Sequence, residues 1–232
     1  MAAALVVLAP GCDNGDSGGD VSGRPGDTIV VLTPADMSPY SYYDEATKEI
    51  KGIEIDIVRA AADRLGMKVQ ARRCPFEELL PRVKAGEADI AAAVITITDA
   101  RKEDVDFTLP YEIGGASFLY RAGDPMPTMI LAETIRVAAI ESMTHDFYLS
   151  THGIDPVRFK TYHEAVSALS EGRVDALFFD HGVVRHTVAT SGGRFAVSRQ
   201  ETRERFALAV RKGMHDLKAA LDAVISERTP AK

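Results

Sequence analysis

An internal echo constrains this chain more than any other feature of its sequence. Residues 76–94 read FEELLPRVKAGEADIAAAV and residues 162–180 read YHEAVSALSEGRVDALFFD. Aligned without a gap at an offset of 86 (162 against 76), each opens on an aromatic residue. Glu78 then falls on Glu164, Gly86 on Gly172 and Asp89 on Asp175. Each copy reads as an amphipathic helix ended by glycine and followed by a short, Asp-led apolar strand. The flanks repeat the theme. Thr28–Thr33 (TIVVLT) is short and β-branched, the pattern of a buried strand. Gly52–Gly66 predicts a helix capped by Asp56, with Ile57, Ala60, Ala61 and Leu65 on its apolar face and Gly66 at its end. Met67–Arg72 is the next strand. In the second half, Arg136–Ile140 reads as a strand and Thr144–Leu149 as a helix. Strand–helix–strand order implies parallel sheets, so the expectation is two similar α/β lobes, and a cleft between lobes is a natural small-molecule site.

Composition narrows the function classes. The chain carries a formal net charge of −7, with 46% hydrophobic and 26% charged residues, the balance of an ordinary globule. That acidity argues against a nucleic-acid partner, which needs clustered Lys and Arg. Two cysteines, Cys12 and Cys74, provide neither a structural zinc site nor a disulfide scaffold. Cys74 reads as a small buried residue. His181, His186 and His215 lack metal-ligand spacing, and no phosphate-cradling glycine loop occurs. No metal, cofactor or catalytic residue is therefore expected. Ser142, His145 and Asp146 lie too close in sequence to argue for a triad, and His145 reads as a first-turn surface residue. At the front, MAAALVVLAPGC is a short apolar run closing on cysteine, and residues 13–26 are almost wholly Gly, Asp and Ser, the composition of a flexible linker.

Several blocks of this sequence resemble a known family. Gly52–Leu65 reads G-I-E-I-D-I, three variable residues, A-A, two more and Leu. Gly86–Tyr111 contains T-I-T-x-x-R and V-D-F-x-x-P-Y, and GRVDALFFD (172–180) and FALAVRKG (206–213) follow in order. These blocks are similar to those of the bacterial family 3 solute-binding proteins, the polar amino acid receptors of ABC importers. The resemblance implies an α/β type II periplasmic-binding-protein fold, two lobes closing on a ligand. Lobe 1 would be 27–117 plus 208–232 and lobe 2 121–204, with crossings at 118–120 and 205–207. It assigns the ligand α-carboxylate to Arg101 and Thr96, with Thr144 as a contact from the second lobe, and the α-amino group to Asp180. Tyr40 and Phe76 match aromatic positions that pack on the ligand side chain, and Val94 stands where a small Gly or Ser is usual. The apolar run before Cys12 resembles a lipoprotein signal (1–11) ahead of a tether (12–26), which makes Cys12 a lipid anchor on the outer face of the membrane.

Chemistry at these positions agrees. Arg101 lies in the first turn of a helix capped by Thr98, where a bidentate guanidinium and unpaired N–H groups suit a carboxylate. A surface ion pair with Asp104 or Asp106 would be the ordinary use of such an arginine. Asp180 ends an apolar strand, where its carboxylate suits an ammonium, and it could equally cap the next helix; Thr144 too could serve as a plain cap. Pro34 and Met37 stand where many relatives carry an acidic and an aromatic residue, which favours a neutral polar or small ligand. The expected protein is thus a monomeric receptor that binds an amino acid or close analogue and hands it to a permease. Two other readings are a cyclohexadienyl-dehydratase-like enzyme on the same fold and a non-transport sensor. Against the enzyme, Val183 occupies the position where those dehydratases place an acid.

Overall fold

The computed structural model describes residues 28–228. The expected signal segment, tether and Cys12 anchor lie outside them. Strand β1 (Thr28–Thr33) leads into a small meander of β2 (Asp36–Met37), β3 (Ser41–Asp44) and β4 (Glu49–Lys51). Helix α1 (Ile53–Leu65) precedes β5 (Lys68–Arg73), α2 (Phe76–Ala85) precedes β6 (Ile90–Thr96), and the single turn α3 (Asp99–Lys102) precedes β7 (Asp106–Phe107) and β8 (Glu112–Gly114). The chain continues through β9 (Ala116–Arg121), α4 (Met129–Ala132), β10 (Val137–Ile140), α5 (Thr144–Thr151) and β11 (Val157–Phe159). Then come α6 (Tyr162–Ser170), β12 (Ala176–Asp180), α7 (His181–Thr190), β13 (Phe195–Val197), β14 (Glu204–Val210) and α8 (His215–Arg228).

Besides the three-stranded meander, two larger sheets result, each with its own helices. The first runs β5-β1-β6-β14-β7 with β8 also on β14, and the second runs β11-β10-β12-β9-β13. In both, three parallel strands are followed by an antiparallel one, β14 in the first sheet and β9 in the second. The echo is therefore topological. Asp89 shows why: its Oδ2 accepts the Val30 N–H at 2.9 Å while its own N–H bonds the Val30 carbonyl. Asp175 does the same to Arg136, also at 2.9 Å. Each aspartate ties the start of its strand to the neighbouring strand. Gly86 and Gly172 end the preceding helical segments at φ 82° and 73°, which a residue with a Cβ adopts only at a cost.

The chain changes sheets at Gly115, between β8 and β9, and again in 198–203, between β13 and β14. Residues 118–120 and 205–207, expected as the crossings, lie inside β9 and β14, where ladder pairing has already begun. Helix α8 packs on the first lobe, with Leu217, Leu221, Val224 and Ile225 in one cluster with Ile55, Val58 and Ala61 of α1. At about 2 kcal/mol per buried aliphatic side chain, this contact is a substantial part of that lobe's core.

One local expectation fails. Helix α1 starts at Ile53, so Asp56 is an exposed first-turn residue and not its cap. The meander supplies what a cap would: the carbonyls of Pro39 and Tyr40 accept the N–H groups of Ile53 and Glu54 at 3.1 and 3.0 Å. The buried face also differs, running through Ile55, Ile57, Val58, Ala61 and Ala62, while Leu65 is exposed.

Candidate functional site

The lobes meet along a seam where sequence-distant side chains converge. Thr98 caps α3 as expected, accepting the Arg101 N–H at 3.3 Å. This turn directs the Arg101 side chain back over the sheet, where Nη1 donates to the Thr96 carbonyl at 2.9 Å and the guanidinium lies 5.7 Å from the Phe76 ring centre. Neither Asp104 nor Asp106 pairs with it; Asp104 binds Lys84 instead. Burial pulls the Arg101 pKa down while Glu204 of the first sheet and Asp180 of the second act to raise it.

Asp180 closes β12 and stands at the N-cap position of α7, but its side chain makes no capping bond. Its Oδ1 lies 3.1 Å from Nε2 of His145, and both side chains are 3% exposed. The expectation of a surface His145 is thus corrected. A histidine in the polar run Thr-His-Asp shows no apolar periodicity, yet the register of α5 turns it inward against Phe178 and Phe179. Burial pushes Asp180 above the ordinary carboxylate range. Burial would lower His145, but attraction to Asp180 raises it. Thr144 is the first residue of α5, not its cap, a position held by Met143. Its hydroxyl lies 3.4 Å from that of Thr96, one from each lobe.

Tyr40, buried in the meander, donates its hydroxyl to Glu112 Oε2 at 2.8 Å. Burial, then Glu112, raise its pKa. The same hydroxyl presses on the second lobe: a Cβ on Gly182 would sit 1.9 Å from it, so the approach needs glycine. Two polar contacts flank this one, Ser38 Oγ to His186 Nε2 at 3.0 Å and Tyr162 N–H to Asp36 Oδ2 at 3.3 Å. Val94 is buried with φ +50°, the left-handed region. That conformation explains why a small residue suits the position, and its N–H is held by Glu54 Oε1 at 3.1 Å. Glu54 is wholly buried, also accepts the Tyr111 hydroxyl at 2.9 Å, and burial raises its pKa to about 7.

All seven residues singled out on lobes 1 and 2 thus lie along or beside this seam, and one apolar cluster runs across it from Leu32 and Val94 to Phe179 and Val183. Sequence reasoning missed His145, Glu112, Gly182 and Glu204. Glu204 carried one usable signal, a charged pair, Glu204–Arg205, directly before the apolar run FALAV. A separate hollow on the second lobe, lined by Glu141, Arg158, Lys160 and Arg173 among others, contains none of the site residues. Among the described residues no group of His, Cys, Asp or Glu could hold a metal ion, and no helix is long and apolar enough to cross a membrane.

Comparison with known proteins gives consistent matches. The profile of the bacterial extracellular solute-binding proteins, family 3, matches residues 29–230. The ABC transporter glutamine-binding protein GlnH of Bacillus subtilis is 26% identical over 96% of this chain and 87% of its own length. Among solved structures, arginine-binding protein from T. maritima in its holo form has a TM-score of 0.80 at 28% identity, covering 88% of this chain and 92% of that one. The ancestral amino acid-binding protein AncCDT-1, a precursor of cyclohexadienyl dehydratase, reaches 0.77 at 26% identity, over 87% and 88%. The α/β fold of two sheet-containing lobes is the one these neighbours share.

Proposed function

The chain belongs to the bacterial extracellular solute-binding proteins, family 3, and from that premise we propose that it captures an amino acid or close analogue between its lobes and delivers it to the permease of an ABC importer. The observation that carries this reading is Arg101 and Asp180: opposite charges, Arg101 half-buried on the first lobe beside Thr96 and Asp180 buried on the second beside His145, with Thr96 and Thr144 meeting between the lobes. An amino acid is complementary to such a pair. Arg101 takes the α-carboxylate, with Thr96 and Thr144 beside it and their hydroxyl protons held by Glu204, and Asp180 takes the ammonium while His145 orients it. Tyr40, Phe76 and Val94 border the side chain. A ligand that touches both lobes binds the closed arrangement better than the open one and shifts the population toward closure. Upstream, Cys12 carries a lipid anchor that keeps the monomeric receptor on the outer face of the membrane; diacylglycerol on Cys12 in the mass spectrum of membrane-extracted protein is the expected result, and unprocessed protein with a free Met1 would count against it.

The likeness to a dehydratase precursor brings an enzyme into view, but the position that reading needs acidic is Val183, 1% exposed within the apolar cluster. A valine side chain has no proton to donate. A thermal-shift screen of the proteinogenic amino acids tests the receptor reading: at about 100 times Kd a ligand stabilises by about 2.7 kcal/mol, so a distinct rise in Tm with one chemical group of amino acids is expected. No rise with any would refute it.

A further inference from the structure

Glu204 has no assigned role in amino acid capture, yet more of the seam converges on it than on any residue named above. It opens β14, directly after the second crossing. Its Oε2 accepts the Thr96 hydroxyl of the first lobe at 2.6 Å and the Thr144 hydroxyl of the second at 3.2 Å. Its Oε1 accepts the Thr202 hydroxyl at 2.7 Å. Thr202 belongs to the second crossing, and its hydroxyl also accepts the Ala116 N–H, at the end of the first crossing, at 2.7 Å. Both lobes and the second crossing therefore meet on one carboxylate, and the Thr202 hydroxyl extends the tie to the first crossing. Charge supports the arrangement, since His145 of the second lobe and Arg101 of the first both attract Glu204. Burial raises its pKa, but His145 and the three hydroxyls outweigh burial and hold it below the ordinary value, which keeps the group ionised at neutral pH.

We propose that Glu204 is the closure latch of this receptor, a positioning residue that ties the geometry of the two crossings to the contact between Thr96 and Thr144. The proposal rests on the reading of the cleft as a ligand site for its kinetic test, but the latch itself is a property of the chain. Separating the lobes must break at least one of the Thr96 and Thr144 bonds, because the two hydroxyls come from different lobes and end on the same oxygen. Hydrogen bonds to an ionised acceptor are among the stronger ones, so the latch acts on the closed state and leaves encounter with the open state alone.

The test uses Glu204→Gln, Thr202→Val and the double variant, with the tightest-binding amino acid from the screen as a labelled probe. Each single variant is expected to release the probe about tenfold faster with association unchanged. The double variant is expected to be no faster than the worse single variant, because both remove the same contact. Small-angle scattering of the ligand-free proteins supplies a second readout, with a larger radius of gyration for Glu204→Gln than for the parent. Unchanged release, tighter binding in Glu204→Gln, or fully additive effects would overturn the latch. If no amino acid binds the parent, the receptor reading fails by itself and the scattering decides: an equal radius in parent and Glu204→Gln overturns the latch, and a larger one in the variant supports it.

Discussion

Replacing Asp175 by asparagine probes the device that makes the two lobes alike. Asp175 accepts the Arg136 backbone N–H at 2.9 Å and binds the Arg136 guanidinium through both oxygens, at 3.0 and 2.7 Å. The Arg136 bond is the main cause that lowers its pKa from 3.8 to about 2. At 1.36 kcal/mol per unit, that shift corresponds to about 2 kcal/mol. The side chain is 30% exposed, so solvent screening brings the expected contribution to about 1 kcal/mol. The sign follows from the lowered folded pKa: the contribution is present above pH 3.8 and disappears as pH falls toward 2. Urea melts of parent and Asp175→Asn are expected to differ by about 1 kcal/mol at pH 7, a few degrees in Tm for a chain of this size, and to converge near pH 2. Equal stability at pH 7, or a gap that persists at pH 2, would refute the reasoning.

Two further perturbations address the seam. Glu54, buried and raised from 4.5 to about 7, holds its proton in the folded state to a higher pH than in the unfolded state, so the stability it contributes is lost as pH rises from 4.5 through 7. Glu54→Gln is expected to flatten this part of the pH–stability curve, by up to about 3 kcal/mol across the window; denaturant melts between pH 5 and pH 8 measure it, and an equally steep decline in the variant would contradict the assignment. Gly182→Ala places a methyl group 1.9 Å from the Tyr40 hydroxyl, which Glu112 holds in place. Amino acid affinity should drop by about tenfold or more with little change in melting temperature, since the clash arises only when the lobes meet; calorimetry showing parental affinity would remove Gly182 from the closing surface.

Much of the architecture was legible because it rests on local signals that repeat. Glycine stops, apolar strands and the two aspartates, Asp89 and Asp175, define the same unit twice, and the sheets follow. The meander β2–β4 was not legible, since strands of two to four residues such as Asp36–Met37 carry too few positions to show a period. Its carbonyls then took over the capping that Asp56 was expected to perform. At the site, Arg101, Thr96 and Asp180 could be named because they fall within contiguous motifs, and Thr144 because it opens the helix after the strand Arg136–Ile140. His145 and Glu204 could not. Each is placed by tertiary register: one turned into the core by α5, the other delivered by the antiparallel strand that ends the second crossing. Val94 stands where a small Gly or Ser is usual, but its positive φ is a backbone requirement that residue identity alone does not display.

Isothermal titration of the best amino acid from the thermal screen into the parent and into Arg101→Ala tests the central claim most directly. Removing a half-buried guanidinium that binds a carboxylate should weaken binding by about 100-fold or more, while the far-ultraviolet circular dichroism and the fold remain those of the parent. Affinity close to that of the parent would contradict the account, because the seam would then hold its ligand without the guanidinium assigned to the α-carboxylate.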